Sequence, residues 1–222
     1  MVVFQDMVNN GEYSYLRDTV LPTVGISGLS DQKLHPDPKT REIFLQSMRE
    51  TVELLRNHPC ICLWTIFNEG WGQFCADEAY TMLKETDNTR FIDSTSRWFH
   101  QKLSDVDSLH MYFKTLHLGN EDHPQLLSEF GGYSYKIPEH SFNLKRTYGY
   151  RKYTDRKEFL KGLQELYEEL IPLVEKGLSG AIYTQVSDVE DETNGLFTYD
   201  RRVLKIKPEE LLPIMTKLVT LL

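Results

Sequence analysis

Short apolar runs alternate along this chain with polar loops and with segments of helical period. The runs are Val2-Val3-Phe4, Ile61 to Phe67, Arg90 to Asp93, Ser108 to Tyr112, Gln125 to Ser128 and Gly180 to Gln185. They are nearly continuous rather than alternating, which is the pattern of strands buried on both faces in a parallel sheet. Four helices are predicted between and after them. The first opens at the cap Asp37 with Pro38 at its first position, carries Phe44, Met48, Val52 and Leu55 at helical spacing, and stops at Asn57-His58-Pro59. Asn57 is expected in the left-handed position that ends many helices. The second runs from Ala76 to Thr86. The third starts at the cap Thr154, presents Phe159, Leu163, Tyr167 and Leu170 on one face, and reaches Gly177, with Pro172 expected to kink or break it. The last begins at Pro208 and carries Leu211, Met215, Leu218 and Leu222. Strand followed by helix, repeated, predicts an α/β fold with a parallel sheet.

Two long loops interrupt the pattern, Met7 to His35 and Phe130 to Tyr153. Each follows the C-terminal end of a strand, the face that carries the active site in a β/α barrel. The second is rich in aromatic residues: Tyr133, Tyr135, Phe142, Tyr148, Tyr150 and Tyr153. Such rings suit a carbohydrate cleft, and they equally suit a loop packed down on itself.

Composition narrows the class. The chain has 222 residues, 40% hydrophobic and 26% charged, with a net charge of −8. An acidic chain without a clustered basic surface argues against nucleic acid. Arg151-Lys152 and Arg201-Arg202 read as solvated faces. Three cysteines, Cys60, Cys62 and Cys75, form no disulfide framework and suit a reducing compartment. Cys60-x-Cys62 is too tight for the usual zinc spacing, and both thiols are expected to be buried. No metal and no cofactor are expected. The N-terminus lacks a signal-peptide pattern, and no apolar run approaches the ~20 residues of a membrane span. The expected setting is therefore cytoplasmic, with no membrane partner.

Two glutamates follow strand-like runs immediately: Glu69 after Ile61 to Asn68, and Glu129 after Pro124 to Ser128. A charge at the end of an apolar strand is costly unless it faces a cleft or a partner. Retaining glycosidases need two carboxyls about 5–5.5 Å apart, one protonated to donate to the leaving oxygen and one ionised to attack. Spacing alone leaves capping or ion pairing open for either residue.

The local sequences go further. Asn57-His58-Pro59-Cys60-Ile61-Cys62-Leu63-Trp64-Thr65-Ile66-Phe67-Asn68-Glu69 resembles the acid/base signature of glycoside hydrolase family 2. Leu126-Leu127-Ser128-Glu129-Phe130-Gly131-Gly132 resembles the nucleophile segment of that family. The stretch Gly180 to Glu190, then Asn194-Gly195-Leu196 and Tyr199-Asp200-Arg201-Arg202, is similar to its last strand and exit loop, and Leu109-His110-Met111-Tyr112 fits the strand between the glutamates. The resemblance implies a (β/α)₈ TIM barrel, partial here, with the six strands matching the third to the eighth. It makes residues 1–222 the C-terminal part of the catalytic barrel domain, with the family's N-terminal β-domains absent.

The resemblance also implies roles. Glu69 is the acid/base, Glu129 the nucleophile, and Asn68 the partner of the sugar 2-hydroxyl. His110 and Tyr112 line the cleft, Gln185 lies near the sugar, and Trp71 forms a stacking wall. From the residues alone His110 and Trp71 are as easily interior side chains, and Trp64 is packing. Tyr183-Thr184-Gln185 departs from the tryptophan-rich last strand of many members. No Asn-x-Lys follows that strand to read a uronate, so a neutral β-hexoside of β-galactoside type is expected as the substrate. The alternative is a non-catalytic or carbohydrate-binding remnant. A metal-dependent hydrolase using His110, Asp93 and a glutamate is a third reading, without the paired spacing of metal motifs. Two strands short of a closed barrel, the chain is expected to self-associate along its open side or to miss its N-terminal domains, and to be weakly active in isolation.

Overall fold

The computed structural model describes residues 1–8, 14–21, 26, 30–35, 37–96, 98–112, 114–119 and 123–220. These fall into two compact units, Met1–Ser108 and Leu109–Leu222.

The first unit is built on a three-stranded sheet in the order β1 (Val3–Asp6), β2 (Ile61–Thr65), β3 (Phe91–Asp93). Both pairings are parallel, with Leu63 opposite Phe91 and Trp64 opposite Ile92. Helices α1 (Pro38–Leu55) and α2 (Ala76–Thr86) connect the strands. The side chain of Asp37 caps α1 by accepting from the backbone N–H groups of Lys39 and Thr40. Phe44, Met48 and Val52 of α1 are buried. The Phe44 ring stacks on Phe67 at 4.9 Å and meets Phe74 edge-on at 5.7 Å. The stop after α1 differs from expectation in its chemistry. Arg56 closes the helix in the right-handed conformation (φ −58°), its N–H on Val52 O, and His58 N bonds Leu55 O. The expected left-handed Asn57 is not used, because Pro59 already prevents continuation.

The cysteine expectation is corrected here. Cys60 is exposed and Cys62 half-buried, because Pro59 and Cys60 form the turn ahead of β2 rather than part of it. Burial pushes the Cys62 thiol pKa up.

Trp64 is fully buried, and its indole N–H donates to Asp87 Oδ2 at 3.0 Å. Asp87 Oδ1 accepts from the backbone and hydroxyl of Thr89 at 2.9 and 2.6 Å. Burial pushes the Asp87 carboxyl up, but the hydrogen bonds from Thr89 and Trp64 and the charge of Arg90 outweigh it, and the pKa lies below the ordinary aspartate value. A folded-state pKa below the unfolded one stabilises the fold above the unfolded pKa, and that stabilisation is lost as pH falls through the folded pKa. Resistance to urea should therefore drop below about pH 4, near the unperturbed aspartate value. Asp87→Asn should lower stability at neutral pH and flatten that acid limb. Equal acid slopes in the two proteins would remove Asp87 from the account.

The second unit holds a sheet in the order β4 (Asp107–Met111), β5 (Gln125–Gly131), β8 (Leu178–Thr184). Strands β5 and β8 are parallel. A short parallel pair, β6 (Ser134–Tyr135) and β7 (Lys152–Tyr153), orders the segment expected to be a plain loop. Helices α3 (Arg156–Glu175) and α4 (Pro208–Val219) follow. Phe159, Leu163, Tyr167, Leu170 and Leu173 of α3 pack against Leu127 and Phe130 of β5 in one apolar cluster. Asp155, not Thr154, caps α3, accepting from Lys157 N and Glu158 N. Pro172 does not break the helix, which runs on to Glu175. An interior proline costs about 3 kcal/mol, and burying one leucine is worth roughly 1.5–3. Leu170 and Leu173, buried on either side, offset it. Leu222, expected on the last helix, lies outside the described residues, as do parts of the Met7–His35 loop. Among the described residues no helix is long and apolar enough to cross a membrane.

Candidate active site

In the first unit the chain leaves β2 at Thr65 and buries Ile66 and Phe67 before turning. The turn spans Asn68 to Trp71 and is closed by Trp71 N on Asn68 O at 3.0 Å. Glu69 (φ 53°) and Gly70 (φ 68°) are both left-handed. A Cβ on Gly70 would meet the Phe99 ring at 2.8 Å, so only glycine fits behind Glu69. The left-handed glutamate is the strained member, at a cost of order 1–3 kcal/mol, and such strain gathers at functional positions. Asn68 and Glu69 are half-buried, and Trp71 is 39% exposed.

In the second unit the structure brings three of the expected residues together. Glu129 lies within β5, not after it as the sequence suggested. The register between β5 and β8 shifts between Leu127 and Phe130. An irregularity of this kind redirects side chains and is common beside active sites, and here it falls on Ser128 and Glu129. The Tyr112 phenol donates to Glu129 Oε2. His110, its side chain only 1% exposed, places Nδ1 3.7 Å from the same oxygen. Thr184 Oγ1 lies 3.4 Å from the Tyr112 oxygen. Burial raises the pKa of the Tyr112 hydroxyl, and the charge of Glu129 raises it further. The phenol thus stays protonated, a fixed donor beside a carboxylate.

Tyr150 stacks on Tyr112 with ring centroids 3.8 Å apart and planes at 11°. Gly132 (φ 61°) makes room for the pair, since a Cβ there would lie 2.5 Å from Tyr150 and 3.0 Å from Tyr112. The sequence showed Tyr150 only as one aromatic among several; the Gly131-Gly132 pair, not read in that way, is the signal of close approach that could have pointed to it.

Gln185, just past β8, donates from Nε2 to Glu192 Oε2 at 2.8 Å and Asn194 Oδ1 at 2.9 Å. Sequence reasoning did not single out Glu192, nor the support beneath this loop. Lys205 Nζ bonds Asp188 Oδ1 at 2.7 Å and Thr193 O at 2.9 Å, and Gly195 N bonds the same aspartate oxygen at 2.9 Å. The two charged side chains are 0% and 1% exposed. Burial pushes the Asp188 pKa up and the Lys205 pKa down, against their mutual attraction. Nothing in the spacing of Asp188 and Lys205 announced this pair.

The family description "Glycosyl hydrolases family 2, TIM barrel domain" matches residues 12–136. The chain belongs to glycosyl hydrolase family 2. Glu69, Asn68, Trp71, His110, Tyr112 and Glu129 all fall inside the matched segment, and Gln185 lies beyond it. The "Beta-galactosidase" of Priestia megaterium (strain DSM 319 / IMG 1521) is 28% identical over 166 residues, covering 71% of this chain and 14% of that protein. Among solved structures, the family 2 β-galacturonidase of Eisenbergiella tayi bound to galacturonate superposes with a TM-score of 0.57 at 20% identity, over 86% of this chain and 39% of that one. The β-D-glucuronidase of Dictyoglomus thermophilum gives 0.56 at 17%, over 96% and 44%. At these identities the structural likeness speaks for the fold alone. The fold is that of the family 2 TIM barrel domain, present as two open three-stranded sheets with their helices. The chain spans about 14% of the length of the curated relative it matches.

Proposed function

We propose that residues 1–222 are the C-terminal part of the catalytic barrel of a retaining β-glycosidase, with β1 to β5 and β8 as its third to eighth strands. Glu129 is the nucleophile. Its carboxylate, 24% exposed in β5 and held by the Tyr112 phenol with His110 beside it, is the observation that carries the reading. The Tyr112 phenol, donating to one carboxylate oxygen, fixes the orientation of the group for attack on the anomeric carbon. Glu69 is the acid/base. It protonates the departing oxygen, then takes the proton from the water that releases the sugar. Asn68 bonds the sugar 2-hydroxyl, Trp71 and Tyr112 border the cleft, and Gln185 faces the sugar from the exit loop. Retention requires the two carboxyls about 5–5.5 Å apart across the anomeric centre.

The substrate is a neutral β-linked hexoside of β-galactoside type. The identity with a protein named β-galactosidase supports this. The outer edges of β1 and β8 are covered by a second copy of the chain or by further domains.

The test is covalent trapping. A 2-deoxy-2-fluoro-β-galactoside with a good leaving group should add one fluorogalactosyl mass, located by peptide mass spectrometry on Glu129. Label on another carboxylate refutes the assignment of the nucleophile. No label with this or with the glucoside and glucuronide analogues refutes the retaining reading.

A further inference from the structure

We infer that Tyr150 is a positioning residue for the nucleophile, its stacked ring holding the Tyr112 phenol on Glu129; this rests on the reading of Glu129 given above. Tyr112 lies one residue past the end of β4, so the strand ladder does not fix its ring. Three features do. Its hydroxyl donates to Glu129, Thr184 Oγ1 lies 3.4 Å from the phenol oxygen, and Tyr150 covers a ring face at 3.8 Å. Free aromatic pairs favour offset or edge-on contact, with centroids about 4.5–7 Å apart, over a face-to-face sandwich. Near-parallel rings with centroids 3.8 Å apart are therefore set by what anchors each ring.

Tyr150 is anchored from two sides. Its N–H bonds Gly132 O at 3.0 Å, three residues past Glu129, and its ring meets Tyr148 edge-on at 5.8 Å. Tyr148 in turn bonds Asp191 O through its N–H at 2.6 Å and receives Thr193 N at 3.0 Å. The ring against Tyr112 is thus fixed to the segment that carries Glu129 and to the exit loop. Left-handed Gly132 leaves the space both rings occupy.

The experiment follows the rate of fluorogalactosyl labelling of Glu129 against inactivator concentration, which separates the maximal rate from half-saturation. Tyr150→Ala should lower the maximal rate about tenfold or more, the scale of a lost hydrogen bond to a charged group, and leave half-saturation unchanged. Tyr150→Phe keeps the ring face and should lose far less of the maximal rate than Tyr150→Ala does. In a Tyr112→Phe background, Tyr150→Ala should add no further loss, because the group it acts through is gone. Should the alanine variant fail to fold, Tyr150→Leu, which keeps bulk without a ring face, takes its place. A rise in half-saturation at constant maximal rate would mean that Tyr150 touches sugar directly and would overturn the inference. So would losses that simply add in the double variant. If the unaltered whole protein that carries this chain takes no label on Glu129, the parent reading fails instead, and the two failures are told apart.

Discussion

Glu129→Gln is expected to abolish turnover of an aryl β-galactoside, by roughly three orders of magnitude or more, while sugar binding survives. The substitution removes the attacking charge and keeps the shape. It also keeps an oxygen that can accept from the Tyr112 phenol. Glu69→Ala should behave differently. General acid catalysis is worth about 10²–10⁴-fold, and it is needed only where the leaving group is poor. Aryl glycosides with acidic phenols should therefore lose much less than unactivated disaccharides, and their slow step should become hydrolysis of the glycosyl–enzyme. The assay belongs on the whole protein that carries this chain, with binding read by calorimetry. Equal losses on both substrate types would remove Glu69 from the acid/base role. Residual turnover of Glu129→Gln near the unaltered rate would remove Glu129 from the chemistry.

The second large effect is structural. Lys205→Met should cost about 3–5 kcal/mol, because it leaves a buried carboxylate without its cation. Asp188 Oδ1 would keep only the Gly195 amide, and Asp188 Oδ2 has no hydrogen-bond partner to begin with. The double variant Lys205→Met with Asp188→Leu should recover most of the loss, since two apolar groups replace two charges at similar volume. Urea unfolding of the three proteins decides it. A loss under about 1 kcal/mol in the single variant, the scale of a surface pair, would show that water reaches the pair.

The distribution of successes along the chain has physical causes. Strands β2, β4 and β5 were legible because they are buried along most of their length and carry an apolar run, whereas β1 has no buried residue and β8 is buried only at Leu178, so burial on both faces was expected wrongly for these two. The Asp37 cap and the face of Phe44, Met48 and Val52 were legible because they are local. Glu129 was placed too late relative to its strand because Ser128 and Glu129 interrupt the apolar run, although β5 continues to Gly131. The irregular register that accommodates them depends on β8, far away in sequence. Pro172 does not end the helix because leucines on both sides of it are buried, a property of the tertiary fold. Of the candidate residues, Glu69, Asn68, Glu129, His110 and Tyr112 were singled out through sequence resemblance. Tyr150, Thr184 and Glu192 were not, because each is defined by a contact with a residue distant along the chain. The Asp188–Lys205 pair could not be read at all, as two surface-type residues 17 positions apart carry no sign of burial.

The division of the chain has an optical consequence. All three tryptophans, Trp64, Trp71 and Trp98, belong to the unit Met1–Ser108, and the unit Leu109–Leu222 has none. Fluorescence excited at the red edge of indole absorption therefore reports the first unit alone. Trp64, sealed from water and bonded to Asp87, supplies its blue-shifted component, and Trp71, 39% exposed, its quenchable one. Unfolding of the second unit is silent at that wavelength, and near-ultraviolet ellipticity from its stacked tyrosines reports it instead. Two midpoints from the two signals, in one titration, would measure how far the units melt independently.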